Sequence, residues 1–184
     1  MSNPTVSHRF LALGEFFFGK GHVRVETMLG TCIAITLWNP RKRLGGICHY
    51  LLPSRGASAR CSGGPEGAYA AEVMDLFAEA LRRSRTRPAD YEVKLFGGGH
   101  MFPDQLSEPG CREQTCSDEK RLTCPSVGCK NICAGRQLLA ECGYSILAQD
   151  VGGHGSRQIR FDVWSGDVWV RHGGSISDGL SATT

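Results

Sequence analysis

The chain has 184 residues, of which 41% are hydrophobic and 21% are charged, and its 21 basic and 18 acidic residues give a net charge of +3. This composition indicates one globular domain with enough chain to bury a core. So small a charge, without a clustered basic stripe, excludes a dedicated nucleic-acid-binding protein.

The same composition sets the expected compartment. No stretch reaches the roughly 18 consecutive apolar residues that a membrane helix needs, so we expect a cytoplasmic protein without membrane insertion. Cytosolic thiols stay reduced, so the nine cysteines do not predict a disulfide framework, and an odd number leaves one unpaired in any case.

The N-terminal part of the chain predicts two strands that lead to a cysteine. Residues 1–9 are polar, and we expect a flexible N-terminus there. Residues 11–18 are predicted to form a strand and 19–21 a turn. A second strand, 23–28, then delivers the chain to Cys32.

The segment that follows predicts two antiparallel strands. Residues 33–38 alternate between two faces, which is the period of a strand, and 47–51 form a second such run after a basic turn at 41–43. Two strands joined by one turn should pair, which brings Cys32 at the start of the first close to His49 near the end of the second. One face of the first strand carries Ile33, Ile35 and Leu37, and the other carries Ala34, Thr36 and Trp38.

A cysteine beside a histidine suggests nucleophilic catalysis, because the imidazole lowers the pKa of the thiol and carries its proton. Gly30 lacks a Cβ and would let a substrate carbonyl approach, and backbone N–H groups around Thr31 and Cys32 could stabilise an oxyanion. The pattern also fits a buried structural cysteine and a hydrogen-bonded core histidine.

The middle of the chain predicts one helix and one strand. Residues 54–67 indicate an exposed loop, 68–84 an amphipathic helix, and 91–96 a strand that ends in the three glycines 97–99. No Lys-Ser or Lys-Thr pair follows these glycines, so they do not predict a nucleotide loop. The apolar stripe of the helix comprises Ala70, Val73, Met74, Phe77, Ala80 and Leu81.

A cysteine-rich loop is predicted at 103–126, and it raises the alternative of a zinc site. Four thiolates could tie down a long loop, and His100 lies just upstream. The spacings contain no Cys-x-x-Cys knuckle, which favours free thiols over a metal site. The cysteines concerned are Cys111, Cys116, Cys124, Cys129 and Cys133.

A second helix is predicted at 130–142, with Ile132, Leu139 and Cys142 facing inward. Gly143 is expected to supply its left-handed C-cap. Asn131 is a candidate for a side-chain hydrogen bond at the start of this helix.

Three strands are predicted to complete the fold, at 144–150, 158–163 and 168–172, with a hairpin turn at 165–167. Glycines at 152, 153 and 155 predict a sharply bent connection before the last two strands. The tail 173–184 is rich in Gly and Ser and is expected to be disordered. Strands mostly in hairpins with two inserted helices predict a mixed, largely antiparallel α/β (α+β) sandwich.

Five blocks of the sequence, in one order, resemble the CheD family of chemoreceptor glutamine deamidases. Residues 27–34 read TMLGTCIA, 45–53 read GGICHYLLP, and 94–101 read KLFGGGHM. The match continues through 128–131 and 150–161, and it spans residues 10–172, which we interpret as a single catalytic domain.

The resemblance implies roles for individual residues. It implies that Cys32 is the nucleophile, that His49 is its base, and that Thr27 is the third catalytic residue. On the chemistry of the residues themselves, we assign Gly30 and Thr31 to the surroundings of the oxyanion. We also assign Phe96, Gly97 and Gly98 to a face that contacts the substrate or a partner.

The resemblance further implies the fold and the biology. It implies β-sheets packed together with helices outside, as in cysteine hydrolases of the cytotoxic necrotizing factor type. The implied reaction is hydrolysis of receptor glutamine side chains to glutamate, with no metal or organic cofactor. Chemoreceptor cytoplasmic domains would be the substrate and a CheC-type phosphatase the partner. The alternatives are a regulatory binding module with little catalysis, and a zinc or redox cysteine protein.

Overall fold

The structure, a computed structural model, describes residues 5–54, 66–101, 126–173 and 181–183, the last of these through their backbone. These residues form ten strands, two α-helices and one short 3₁₀-helix, Pro88–Asp90. The strands of the first half are β1 (Ser7–Phe10), β2 (Phe16–Lys20), β3 (Val23–Leu29), β4 (Ile33–Asn39) and β5 (Leu44–Tyr50). Helix α1 (Ala70–Ser84), β6 (Glu92–Gly97), helix α2 (Val127–Glu141), β7 (Ile146–Val151), β8 (Arg157–Asp162), β9 (Val168–His172) and β10 (Ser181–Thr183) follow.

The strands form two five-stranded sheets. The central sheet has the order β2-β5-β4-β6-β7, and the outer sheet has the order β1-β3-β8-β9-β10. Two pairs, β1 with β3 and β6 with β7, are parallel, and the other pairs are antiparallel. The predicted mixed and largely antiparallel architecture is therefore confirmed.

The central sheet is covered on both faces. One face packs on the two helices through a core that includes Ile35, Leu37 and Phe77. The other face packs on the outer sheet through a second core, which includes Ala34 and Phe161. The molecule thus has three layers, with the helices outside, and the predicted alternation of faces along β4 is confirmed.

Helix α1 forms because its apolar side chains recur at helical spacing and lie against the central sheet. Arg85 ends it in the left-handed conformation, with φ 52°. Helix α2 begins at Val127, three residues before the predicted start, and Gly143 follows its C-cap with φ 79°, as predicted. Within the described residues, no helix is long and apolar enough to cross a membrane.

The N-terminus contradicts the prediction of a flexible segment at 1–9, because Ser7–Phe10 forms β1. This strand runs parallel to β3, with Ser7 opposite Val23 and Phe10 opposite Glu26. All four of its residues are exposed, so its side chains show no burial pattern that a sequence could reveal. It is held instead by its main-chain hydrogen bonds.

The single strand predicted at 11–18 is also wrong, because a turn divides it. Gly14 adopts φ 76°, a left-handed conformation that interrupts an extended chain, and β2 begins only at Phe16. The Glu15 carboxylate accepts the Ala12 N–H at 2.8 Å and closes the turn. The apolar residues on both sides concealed this break.

Two further predictions near the C-terminus are corrected. The tail predicted to be disordered at 173–184 includes β10, whose main chain pairs antiparallel with β9. Cys142 is exposed and does not face inward, because it is the C-cap residue of α2 and lies beyond the helix's buried stripe. The turn at 165–167 is confirmed, with Gly166 at φ 82° donating its N–H to the Asp162 carbonyl.

Two predicted loops lie mainly outside the described residues. Most of the loop at 54–67 and nearly all of the cysteine-rich loop at 103–126 belong to these stretches. The cysteines at positions 61, 111, 116 and 124 lie there as well.

Candidate active site

The site lies where the ladder between β4 and β5 ends, between the two sheets. Ala34 pairs with His49, and Cys32 precedes β4 by one residue. Because Cys32 lies two positions before Ala34, extended backbone would put it on the same face as His49. The two residues would be diagonal neighbours on adjacent strands, with their Cα atoms about 7–8 Å apart, so that their side chains could reach each other.

Thr27 reaches this pair from the outer sheet. It is fully buried on the inward face of β3, and its hydroxyl donates a hydrogen bond of 2.8 Å to the Leu11 carbonyl oxygen. Its Oγ1 also lies 2.9 Å from His49 Nδ1. A hydroxyl carries one proton, and here Leu11 receives it, so the contact with the histidine requires Nδ1–H to be the donor.

This hydrogen bond decides the tautomer of His49. With the proton on Nδ1, Nε2 carries the lone pair and is the ring's basic atom. Nε2 is buried and has no hydrogen-bond partner among the described residues. Burial lowers the pKa of His49 from its usual 6.5, and the Leu11 carbonyl opposes this shift. The imidazole is therefore neutral at pH 7 and able to accept a proton.

Cys32 is the more accessible member of the pair, at intermediate exposure. Burial raises the pKa of its thiol above 9.0, while hydrogen bonds from the Thr31 side chain and from its own backbone N–H act in the opposite direction. At neutral pH Cys32 is accordingly a thiol and His49 a neutral imidazole. For such a thiol to act as a nucleophile, a base would have to take its proton during the attack.

The turn after β6 packs against the backbone of Cys32. Gly98 donates its N–H to the Cys32 carbonyl at 2.8 Å, and Gly97 has φ 116°, which favours glycine. A Cβ on Gly97 would collide with that same carbonyl oxygen. This turn therefore fixes the main chain of Cys32.

The assignment of Phe96, Gly97 and Gly98 to a substrate or partner face is wrong, because all three are buried. Phe96 belongs to the core between the sheets, and a Cβ on Gly98 would meet the Ile132 side chain. These residues lie beneath the site and support it.

Gly30 and Thr31 come directly before Cys32, and the space left by the missing Cβ of Gly30 is occupied by a side chain of the protein. Its missing Cβ accommodates the Met101 side chain, whose sulfur would lie 2.9 Å from such an atom. Its carbonyl accepts the Gly99 N–H at 2.8 Å. Gly30 thus joins the Cys32 segment to the glycine turn.

Two buried side chains near the cysteine had no predicted role at the site. Arg157 is 1% exposed and donates to the carbonyls of Gly97, Asp150 and Gly152. Asn131 donates to the carbonyls of Thr31 and Leu51, so its side-chain hydrogen bonds lie at the site and do not cap the helix. Both belong to blocks of the family resemblance, which is the signal that could have found them.

The zinc alternative is tested only in part. In the ranges that the structure describes, no group of three His, Cys, Asp or Glu residues is arranged to hold a metal ion. His100 Nε2 lies 3.9 Å from Cys129 Sγ, and Cys133 lies one helical turn further along α2. The remaining cysteines of that hypothesis lie outside the described residues.

Comparison with known proteins identifies the family. The sequence model for "CheD chemotactic sensory transduction" matches residues 51–172. A probable chemoreceptor glutamine deamidase CheD 3 from Dechloromonas aromatica (strain RCB) is 40% identical over 168 residues, which cover 91% of this chain and 89% of the relative. This chain belongs to the CheD family.

Other CheD relatives match over a similar length. A probable chemoreceptor glutamine deamidase CheD from Pseudomonas syringae pv. syringae (strain B728a) is 38% identical over 94% of this chain and 89% of its own. CheD 1 from Leptospira interrogans serovar Lai (strain 56601), also named a probable chemoreceptor glutamine deamidase, is 34% identical over 90% of this chain and 93% of its own. The CheD sequence model begins after His49, whereas these relatives extend over the candidate site.

Among solved structures, this CheD chain is similar to the hypothetical protein YfiH of Bacillus licheniformis. The TM-score is 0.40 and the sequence identity is 14%, over 73% of this chain and 49% of that one. The relation to hydrolases of the cytotoxic necrotizing factor type stays a prediction.

Proposed function

We propose that this CheD chain is a cysteine amidohydrolase that converts glutamine side chains of chemoreceptors to glutamate and releases ammonia. The observation that carries the proposal is the hydrogen-bonded chain from the Leu11 carbonyl through Thr27 to His49 Nδ1. With Nδ1–H held by this hydrogen bond, Nε2 is left as the base. His49 pairs with Ala34 on β4, and Cys32 comes directly before that strand. The names of the curated relatives supply the substrate class.

The first half of the reaction forms a thioester. As the sulfur of Cys32 attacks the carboxamide carbon, His49 Nε2 takes the thiol proton, because the thiol is protonated at neutral pH. The carbonyl oxygen becomes an oxyanion, which backbone N–H groups near Thr31 and Cys32 stabilise. The protonated Nε2 then gives its proton to the leaving amine, and ammonia departs.

The second half consumes water. His49 Nε2 removes a proton from a water molecule that attacks the thioester carbon, and the Cys32 thiol is restored as glutamate leaves. Thr27 keeps Nδ1–H in place throughout, so that the same nitrogen, Nε2, exchanges protons in both steps. Every group in this cycle belongs to the chain, the substrate or water, and no step uses a cofactor.

The setting that we propose follows from the family. The catalytic domain would comprise residues 10–172, and the protein would act in the cytoplasm on the cytoplasmic domains of receptors. A glutamate made in this way is a carboxylate that a methyltransferase can esterify. A CheC-type phosphatase is the proposed regulatory partner.

The test is incubation of the purified chain with a receptor cytoplasmic fragment, followed by peptide mass spectrometry of each glutamine. We expect time-dependent conversion of specific glutamines by the wild type and none by His49→Ala. His22→Ala is the matched control, since this histidine stacks on Trp164 at a ring separation of 5.6 Å and is not part of the site.

Intact glutamines in the presence of the wild type would refute the proposed function. The binding-module alternative would then be examined by measuring the affinity of the chain for the receptor fragment and for a CheC-type phosphatase. Equal loss of conversion in His22→Ala and His49→Ala would contradict the role assigned to His49.

A further inference from the structure

One buried side chain bridges the two strands at the point where their ladder stops. The last paired residues of β4 and β5 are Ile33 and Tyr50. Just beyond them, the carbonyls of Thr31 and Leu51 both accept hydrogen bonds from Asn131 Nδ2, at 2.9 and 2.8 Å. A single amide group thus replaces the ladder between the segment that carries the cysteine and the segment that follows the histidine.

Asn131 is itself held by one of the strands that it bridges. The Tyr50 hydroxyl donates to the Asn131 backbone carbonyl at 2.7 Å, and both residues are fully buried. Gly135, one turn further along α2, leaves room for this hydroxyl, because a Cβ there would lie 2.5 Å from it. Helix α2 is therefore anchored to the residue that follows His49.

The acceptor end of the same amide shows that packing alone does not explain this residue. Asn131 Oδ1 is buried without a hydrogen-bond partner among the described residues, which costs free energy. An apolar side chain of similar size would avoid that cost, but it would leave both carbonyls without their donor. Asn131 therefore contributes through the two hydrogen bonds that its Nδ2 donates.

Those bonds act on the nucleophile through a rigid unit. The Thr31 carbonyl and the Cys32 N–H belong to one planar trans peptide, in which they point in opposite directions. Fixing the carbonyl therefore fixes the direction of the N–H. The Cys32 N–H and sulfur belong to the same residue, so fixing the direction of this N–H also restricts where it lies relative to the attacking sulfur.

We propose that Asn131 is a positioning residue that aims the Cys32 N–H at the oxyanion formed when the sulfur attacks a carbonyl carbon. The inference rests on the proposed function, in that Cys32 is the nucleophile. Asn131 touches no reacting atom; it acts through the Thr31 carbonyl. The Leu51 bond keeps that peptide at a fixed distance from the strand that carries the base.

The test compares two reactions of Cys32 in the purified full-length chain. Acylation by p-nitrophenyl acetate passes through an oxyanion: the sulfur bonds to the acetyl carbon, its proton goes to His49, and p-nitrophenolate leaves. Alkylation by iodoacetamide displaces iodide from a saturated carbon and forms no oxyanion. Mass spectrometry of the peptide that contains Cys32 gives both rates, independently of the other cysteines.

We expect Asn131→Ala to lower the ratio of acylation to alkylation about 10–100-fold, less than the 10²–10³-fold typical of losing an oxyanion donor altogether. Tyr50→Phe removes one hydroxyl and should lower the ratio by a smaller factor. If Asn131→Ala does not fold, the ratio measured for Tyr50→Phe decides whether the proposal holds. An unchanged ratio in the folded variants would overturn the proposal.

Asn39→Ala is the matched control. Asn39 is 2% exposed at the opposite end of β4, where its Oδ1 accepts the Lys42 N–H at 3.0 Å. It should lower the melting temperature without changing the ratio. A fall in the ratio equal to that of Asn131→Ala would show a general effect of destabilising β4 and would overturn the proposal.

The outcomes separate this inference from the proposed function. A wild type that is acylated at Cys32 but leaves receptor glutamines intact refutes the function, and the ratio still tests Asn131. A wild type that alkylates but never acylates at Cys32 has no oxyanion site there, which refutes the inference directly.

Discussion

Cys32 and Cys48 lie on neighbouring segments of the central sheet, yet their surroundings make them different thiols. Cys48 pairs with Ile35 and faces the helices, where complete burial raises its pKa to about 12. Cys32 faces the space between the sheets, is partly exposed, and has the Thr31 side chain as a hydrogen-bond partner. Burial raises the pKa of both thiols, so what distinguishes a candidate nucleophile is access and a neighbouring base.

The largest expected effect separates these two cysteines directly. Cys32→Ala should reduce glutamine conversion by roughly 10³-fold or more, because it removes the proposed nucleophile. Cys48→Ala should retain conversion and lower the free energy of unfolding by roughly 0.5–3 kcal/mol through lost core contacts. Activity assays and denaturant unfolding of both variants check this, and equal loss of activity would remove the distinction.

The turn behind Cys32 gives the second prediction. Gly97→Ala should reduce activity about 10²-fold, because the new Cβ displaces the Cys32 carbonyl and with it the proposed nucleophile. Gly21→Ala is the matched control, since Gly21 has φ 106° and no atom lies within 4 Å of the position that its Cβ would take. It should cost roughly 1–3 kcal/mol of stability through backbone strain and leave activity unchanged.

The third prediction concerns His49, the proposed base, which serves Cys32 and not Cys48. Thr27→Val keeps the shape of the buried side chain but removes the hydroxyl that accepts the His49 Nδ1–H. We expect kcat to fall roughly 10–100-fold, as is usual when a partner that orients an imidazole is lost. Thr27→Ser should restore most of the rate. A serine variant as slow as the valine variant would show that the hydroxyl is not the active feature.

The smallest expected effect is a shift in the pH profile. Burial lowers the pKa of His49, and only the neutral ring can take the thiol proton, so kcat/KM should fall with decreasing pH at a value below 6.5. An acid limb above 6.5 would contradict this assignment.

The same shift links His49 to stability. As pH falls below 6.5, the unfolded chain binds a proton that folded His49 resists, so the free energy of unfolding decreases until the pH passes the folded pKa. This loss should be smaller in His49→Gln, which has no proton to bind. Urea unfolding of both proteins between pH 7.5 and 5 provides the measurement.

The sequence predicted the parts of the molecule whose side chains reveal their surroundings. Helix α1 and the β4 and β5 pair have apolar periodicity, and the family resemblance named Thr27, Cys32 and His49, which the structure places at one end of that pair. Strand β1 was missed because its residues are exposed and its bonds are made by main chain.

Contacts between residues that are far apart in the sequence could not be predicted, for a different reason. Asn131 meets Thr31 across 100 positions of the chain, and no local pattern encodes such a meeting. We had assigned Phe96 to a surface because its motif adjoins the site, but its ring is buried in the core between the sheets. Proximity to a motif did not distinguish a residue that touches substrate from one that supports the site.

The Thr27 hydroxyl finds its acceptor in a main-chain carbonyl, that of Leu11, and this determines which changes the site tolerates. Every amino acid has a carbonyl, so exchanging the side chain at position 11 leaves the acceptor in place. Inserting or deleting one residue between β1 and β2 would instead move it and leave the hydroxyl without a fixed direction. Between β1 and β2, the proposed catalytic geometry therefore depends more on the number of residues than on their identity. Among relatives we expect substitutions in this segment but no insertions or deletions.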